Sequence, residues 1–131
     1  MVRFLIAIVL LIHGAGHIMP FLAAWTTQKA GFSNATWIFS GGMTPGSPVG
    51  QAFGLLGLVA LLGFFGSAIG LIMYQDWWPT MAVAATAISL VLIIPWWNAW
   101  PVSSLIGALL VDAAILVALV PPWGHQLVQA L

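Results

Sequence analysis

Residues 52–73 read AFGLLGLVALLGFFGSAIGLIM, and this run of 22 residues without a charged side chain decides the fold class. A hydrocarbon layer of about 30 Å is crossed by a helix of about 20 apolar residues. Apolar runs of similar length lie on both sides of it, and we predict spans at residues 4–24, 52–73, 78–95 and 101–120. The predicted fold is an all-α integral membrane four-helix bundle, with residues 1–131 forming a single transmembrane domain.

The composition of the whole chain agrees with this prediction. Of the 131 residues, 63% are hydrophobic and 3% are charged, and there is no cysteine. A soluble domain carries about 25% charged residues, a disordered chain has low hydrophobicity, and nucleic-acid binding needs a basic surface. These three classes are excluded, and a disulfide framework or a cysteine nucleophile is excluded with them. The lipid bilayer is the expected surrounding.

Tryptophan and charge positions predict the topology. Tryptophan prefers the headgroup level, and all eight tryptophans fall at predicted span ends: Trp25, Trp37, Trp96, Trp97 and Trp100 at one level, and Trp77, Trp78 and Trp123 at the other. An even number of spans places both termini on one side, and Arg3 favours the cytoplasmic side. Residues 25–51 are too many for a simple turn, so we predict a structured loop with a short interfacial helix near residues 34–39.

Small residues predict where the helices touch. Helices in lipid associate through close packing of small side chains, and the second span carries Gly54, Gly63, Gly66 and Gly70. The third span offers Ala82, Ala85, Thr86 and Ser89 at helical spacing and is the expected neighbour. The glycines fit either packing within the chain or an interface with another subunit.

Three ionisable residues fall at membrane depth, where such residues usually face the bundle interior and mark function. His13 lies about 15 Å beyond Arg3 along the first helix, and Asp112 lies roughly 16 Å beyond Pro101 along the last. The two therefore reach the same level and can pair. His17 lies on the same helix face as His13. No Lys or Arg shares this level, so Asp112 is either neutral or balanced by a protonated histidine or a bound cation.

Pro20 predicts an interruption of the first helix beside His17. It has no N–H for the carbonyl of Gly16, and Gly14 and Gly16 weaken the preceding turn. An interrupted helix of this kind often lines a binding cavity, although a helix end near the interface would give the same sequence. We take His13, His17 and Asp112 as the candidate ligand-handling or proton-handling residues, with Pro20 beside them.

Several chemistries fit this set. A quinone or similar apolar redox ligand needs an apolar slot, a histidine and a proton route, and it fits best. A divalent metal could take two histidines and a carboxylate, and a haem could take one histidine, alone or with His125. A plain alternative is a His–Asp hydrogen bond that only fixes the register of two helices.

Two segments resemble a known family. Leu10-Leu11-Ile12-His13-Gly14, continuing to Phe21, resembles the first helix of DoxX-like small four-helix membrane proteins, and residues 97–112 resemble the last helix of related proteins. Some DoxX-like proteins are associated with quinone-linked sulfur oxidation, so the resemblance implies a quinone-related role for His13.

Together these observations predict a small membrane subunit that binds a quinone-type ligand or relays protons in a larger complex of electron transfer. A chain with little material outside the membrane needs other membrane subunits, or further copies of itself, as partners. The alternatives are a structural accessory subunit without catalytic function and a small homo-oligomeric transporter.

Overall fold

This computed structural model describes residues 1–39 and 41–131, which form helices and no strand. The helices are α1 (Val2–Gly16), α2 (Ile18–Trp25), α3 (Pro48–Ile72), α4 (Trp78–Ile93), α5 (Val102–Leu119) and α6 (Gly124–Gln129), and a 3-10 turn (Ile94–Trp96) extends α4. Four helical segments are long and apolar enough to cross a membrane: Val2–Trp25, Pro48–Ile72, Trp78–Trp96 and Val102–Leu119. The all-α fold is confirmed, and the four segments lie close to the four predicted spans.

The start of α3 differs most from its predicted position, at Pro48 instead of residue 52. The side chain of Ser47 accepts a hydrogen bond from the N–H of Gly50 and so caps the helix, and Pro48 occupies the first turn. A hydroxyl cap followed by proline favours a helix start. These two residues extend the helix by one turn beyond the apolar run.

Helix α3 forms the centre of the bundle, because α1, α2 and α4 all pack against it, whereas α5 packs mainly against α4. The core between α3 and α4 contains Ala60, Phe64, Ala68 and Ala82, each with none of its surface exposed. The outer face of α5 is therefore free for lipid.

The glycines of α3 serve two different neighbours within the chain. At Gly54, an added Cβ atom would lie 2.9 Å from the Cβ atom of Ala24. At Gly63 it would lie 2.8 Å from the Cβ atom of Ala85, and Gly66 and Gly70 similarly abut Met81, Trp77 and Trp78. All four predicted glycines thus permit close packing inside the bundle, with α2 on one side and α4 or its preceding turn on the other.

The loop between α2 and α3 is structured, but the predicted helix near residues 34–39 is wrong. Its backbone is irregular there, and it pairs with the turn between α4 and α5: Ser33 N–H donates to the Ala99 carbonyl at 2.9 Å, and Ile38 N–H donates to the Pro95 carbonyl at 3.0 Å. Backbone groups outside regular helices need other hydrogen-bond partners, and here another loop supplies them. The loop covers one end of the bundle.

The tryptophans lie at the ends of the spans, but not all are at a half-solvated level. Trp78, Trp96 and Trp100 are buried in the protein. The indole N–H of Trp96 donates to the Met43 carbonyl at 3.1 Å, and its ring lies 4.7 Å from that of Trp37. Part of the predicted aromatic belt therefore holds the loop onto the bundle.

Candidate functional site

The first span is interrupted at His17, as predicted. α1 ends at Gly16 and α2 begins at Ile18, with Pro20 in the first turn of α2. The backbone N–H of His17 donates to the Gly14 carbonyl at 3.0 Å. The carbonyl of His13 instead lies 3.0 Å from the Nδ1 atom of the His17 ring. The interruption thus fixes the His17 side chain against its own helix.

His13 and Asp112 are paired at the same depth, which confirms the estimate from the helical rise. The Nε2 atom of His13 lies 2.9 Å from Oδ1 of Asp112. Asp112 has none of its surface exposed, and His13 is 9% exposed. Asp112 therefore lies behind His13, away from the protein surface.

Ser89 of α4 also belongs to this site, although its sequence position predicted only a role in helix packing. Its hydroxyl lies 2.6 Å from Oδ2 of Asp112 and 2.8 Å from Nε2 of His17. Both histidines are consequently linked to one carboxylate, His13 directly and His17 through Ser89. The signal in the sequence was depth, since Ser89 lies eleven residues after Trp78, or about 16 Å along the helix.

The surroundings of this network are apolar and aromatic. The Phe64 ring of α3 lies 4.6 Å from the His13 ring and 5.3 Å from the His17 ring, and the two histidine rings are 4.9 Å apart. The two cationic side chains of the chain are elsewhere: Arg3 lies over the Tyr74 ring, and Lys29 donates to the Asn34 side chain. The histidines are therefore the groups that can balance a charge on Asp112.

A cleft of about 460 Å³ lies between α1 and α5, and His13 and His17 form part of its wall. Its rim includes Val9 and Ile12, whose side chains are 49% and 70% exposed, so the cleft opens sideways toward lipid. At the loop end it is bounded by Phe32 and Trp100, whose rings lie 4.8 Å apart. The site thus has an apolar opening and a polar inner wall.

Among the polar side chains that line this cleft, which include Ser104 and Trp100, His13 is the one bonded directly to Asp112. Nε2 of its ring is bound to Asp112, whereas Nδ1 has no hydrogen-bond partner among the residues that the structure describes and is not fully enclosed. A ligand hydroxyl in the cleft could donate to this nitrogen, whose orientation is fixed by the bond of the same ring to Asp112.

The site fits a metal or a haem poorly. No group of three or more His, Cys, Asp or Glu side chains within residues 1–39 and 41–131 is arranged to hold a metal ion. Two histidines that ligate one haem must face each other across it, but His13 and His17 belong to one helical segment with rings in contact. His125 lies in a separate groove with Asp76.

No protein-family model, curated protein or solved structure matches this chain.

Proposed function

We propose that this small integral membrane protein binds an apolar, quinone-type ligand in the cleft between α1 and α5. The observation that carries the proposal is the free Nδ1 atom of His13 on the wall of a lipid-facing cleft at membrane depth. Ligand sites commonly enclose 300–1,000 Å³ and combine an apolar lining with few polar groups. A cleft of about 460 Å³ with few polar side chains, among them His13, meets that description.

In this proposal His13 exchanges a hydrogen bond or a proton with the ligand, and Asp112 orients the ring. When Nε2 donates to Oδ1 of Asp112, Nδ1 of the neutral ring is an acceptor and can take the proton of a ligand hydroxyl. Asp112, which is bonded to Nε2, can then stabilise the added proton or accept the one that Nε2 releases. A hydrophobic ligand reaches the site from the bilayer, because the cleft opens between exposed apolar residues of α1 and α5.

The protein would act with other membrane subunits. Most of the chain is within its four apolar helices, so the partner that exchanges electrons with the ligand would be a separate protein. The resemblance of residues 10–21 to DoxX-like proteins points in the same direction and stays a prediction.

Two glycines that line the cleft allow a direct test. Neither Gly16 nor Gly107 would place an added Cβ atom within 4 Å of another group, so a leucine at either position fills the cleft without disturbing the core. Ala114 is exposed on α5 outside the cleft, and Ala114→Leu is the matched control. The measurement is the binding of decylubiquinone and its quinol to the purified protein in lipid nanodiscs.

We expect the wild type and Ala114→Leu to bind one of these probes, and Gly107→Leu to weaken binding by about tenfold or more, which corresponds to about 1.4 kcal/mol. His13→Leu should weaken it as well, because it removes the polar contact. Absence of binding in the wild type, or equal binding in all variants, would reject the proposal and favour an accessory subunit.

A further inference from the structure

The four polar contacts of the site form one chain of hydrogen bonds with restricted directions. From one end to the other it runs from His13 Nε2 to Asp112, from Asp112 to Ser89, from Ser89 to His17 Nε2, and from His17 Nδ1 to the His13 carbonyl. A carbonyl oxygen can only accept, so Nδ1 of His17 must carry a hydrogen. This fixes one end of the chain and leaves the remaining hydrogens to be assigned.

Ser89 makes the assignment of the next hydrogens depend on its neighbours, because a hydroxyl has one hydrogen to donate. If Ser89 donates to an ionised Asp112, then Nε2 of His17 must donate to Ser89, and His17 is cationic. If Ser89 donates to a neutral His17, then Asp112 must donate to Ser89 and is a carboxylic acid. All contacts are hydrogen bonds in both arrangements, and both contain the same number of protons.

With one proton fewer, one contact fails. An ionised Asp112 beside a neutral His17 leaves Ser89 with one hydrogen for two acceptors. A buried polar group without its partner is destabilising, and the residues affected here, Asp112, Ser89 and His17, are at most 2% exposed. Every contact can therefore be a hydrogen bond only when Asp112, Ser89 and His17 together hold the additional proton.

We propose that Asp112, Ser89 and His17 share one proton in the resting protein, and that Ser89 conducts a further proton from the ligand at His13 to His17. The part that concerns a ligand rests on the proposed function. It deepens that function by naming the ligand class: a molecule with an acidic hydroxyl, such as a quinol, that binds to Nδ1 of His13.

The transfer balances without any electron step. The ligand O–H bond breaks and its oxygen keeps the electron pair, while the proton binds to Nδ1 of His13. The transfer starts from the arrangement in which Asp112 is the carboxylic acid. The Nε2 proton of His13 moves to Oδ1 of Asp112, and the Oδ2 proton of Asp112 moves to Ser89. The Ser89 proton then moves to Nε2 of His17. The ligand becomes an oxyanion and His17 becomes a cation. The three hydrogen bonds that link His13 Nε2 to His17 Nε2 through Asp112 and Ser89 reverse their direction.

The chain ends at His17. Its Nδ1 atom donates to a carbonyl, which does not pass a proton on, and both of its ring nitrogens are already engaged. The groups that face it are the His13 ring from α1, the Phe64 ring from α3, Ser89 from α4 and, through Ser89, Asp112 from α5. Such a chain stores a proton for the ligand and returns it along the same route, which argues against a proton path across the membrane.

Magnetic resonance can test proton sharing without any ligand. The protein, labelled with ¹⁵N-histidine and ¹³C-aspartate, is studied in nanodiscs with no quinone added; it has three histidines and two aspartates, so the signals are few. Near neutral pH we expect Nδ1 of His17 to be protonated at all times. We also expect the proton occupancies of the Asp112 carboxyl and of His17 Nε2 to add up to one.

An ionised Asp112 together with a bare Nε2 on His17 would overturn the proposal, as would a His17 ring protonated at Nε2 alone. This measurement uses the wild-type protein, so it stands even if a variant fails to fold. Because it needs no ligand, its result is also independent of whether decylubiquinone binds.

The role of Ser89 is tested by whether its removal uncouples His17 from Asp112. In the presence of Ser89, Asp112→Asn should shift the His17 signals, whereas in Ser89→Ala the same change should leave them unaltered. Ser89→Thr keeps the hydroxyl and should restore the response. Ser67→Ala, which removes a buried hydroxyl that donates to the Trp78 carbonyl, should preserve it. A response of His17 to Asp112→Asn that survives Ser89→Ala would show that Ser89 does not transmit the proton.

Discussion

The energetic link between His13 and Asp112 can be measured with a double-mutant cycle of His13→Ala and Asp112→Ala. Asp112→Ala removes two hydrogen bonds, to His13 and to Ser89. Hydrogen bonds inside membrane proteins contribute about 0.6 kcal/mol on average and up to about 1.7 kcal/mol, so the loss should be about 1–3 kcal/mol. His13→Ala removes one of the same bonds and the ring contact with Phe64.

The bond that both single variants remove sets the coupling energy. The His13–Asp112 bond joins two buried groups, and a hydrogen bond in a low-dielectric interior is stronger than one in water, which places it near the upper end of that range. We therefore expect the double variant to be more stable than the sum of the single losses predicts, by about 1–1.5 kcal/mol.

The assay is unfolding in mixed micelles with increasing sodium dodecyl sulfate, followed by the fluorescence of the eight tryptophans. The control cycle combines Asp112→Ala with Ser67→Ala. Ser67 is equally buried, but its hydroxyl donates to the Trp78 carbonyl, so this pair should be additive within about 0.5 kcal/mol. Additive effects in the His13 cycle as well would refute the paired site.

Two further predictions concern the helices that hold the site. Gly63→Ala should destabilise the bundle by about 1–3 kcal/mol in the same unfolding assay, because the new Cβ atom would lie 2.8 Å from that of Ala85 and push α3 from α4; Gly107→Ala, which meets open space, should be neutral or stabilising by up to about 1 kcal/mol. Ser47→Ala should cost about 1 kcal/mol by removing the side-chain cap on the Gly50 N–H, and unchanged unfolding would show that this cap is dispensable.

The four spans could be predicted from the sequence because a bilayer imposes one requirement on every segment, a long apolar helix. The pairing of His13 with Asp112 could be predicted for a related reason. In parallel or antiparallel spans of known rise, position along the chain gives depth, and few polar groups compete at that depth.

The membership of Ser89 could not be assigned from the sequence in the same way. A serine on a membrane helix packs closely or donates back to its own helix as readily as it bonds to another one. Its rotation about the helix axis depends on how α4 seats against α3, and that is set by contacts such as Gly63 against Ala85. The sequence position gives the depth of Ser89 in the membrane, whereas tertiary packing decides which neighbours its side chain faces.

The prediction of a helix near residues 34–39 is wrong for a different reason. The apolar group in this segment, Trp37, Ile38 and Phe39, is typical of an interfacial helix. The Trp37 ring instead packs against the Trp96 ring, and the Ile38 N–H donates to the Pro95 carbonyl. Pairing over some 60 positions of sequence, as between Ser33 and Ala99, leaves no local pattern to detect.

The weak attachment of α5 and the polar network depend on each other. In α5, every residue of which the structure describes, Asp112 and Ile115 are the buried ones. If apolar packing held α5 closely along α1, the cleft between them would close. Because α5 packs mainly on α4 instead, the cleft stays open, and His13 contacts Asp112 at its inner wall. The bond that places the carboxylate behind His13 is thus also a contact that holds α5 in position. If the proposed ligand changes the charge on this chain of hydrogen bonds, it should also change how firmly α5 is held.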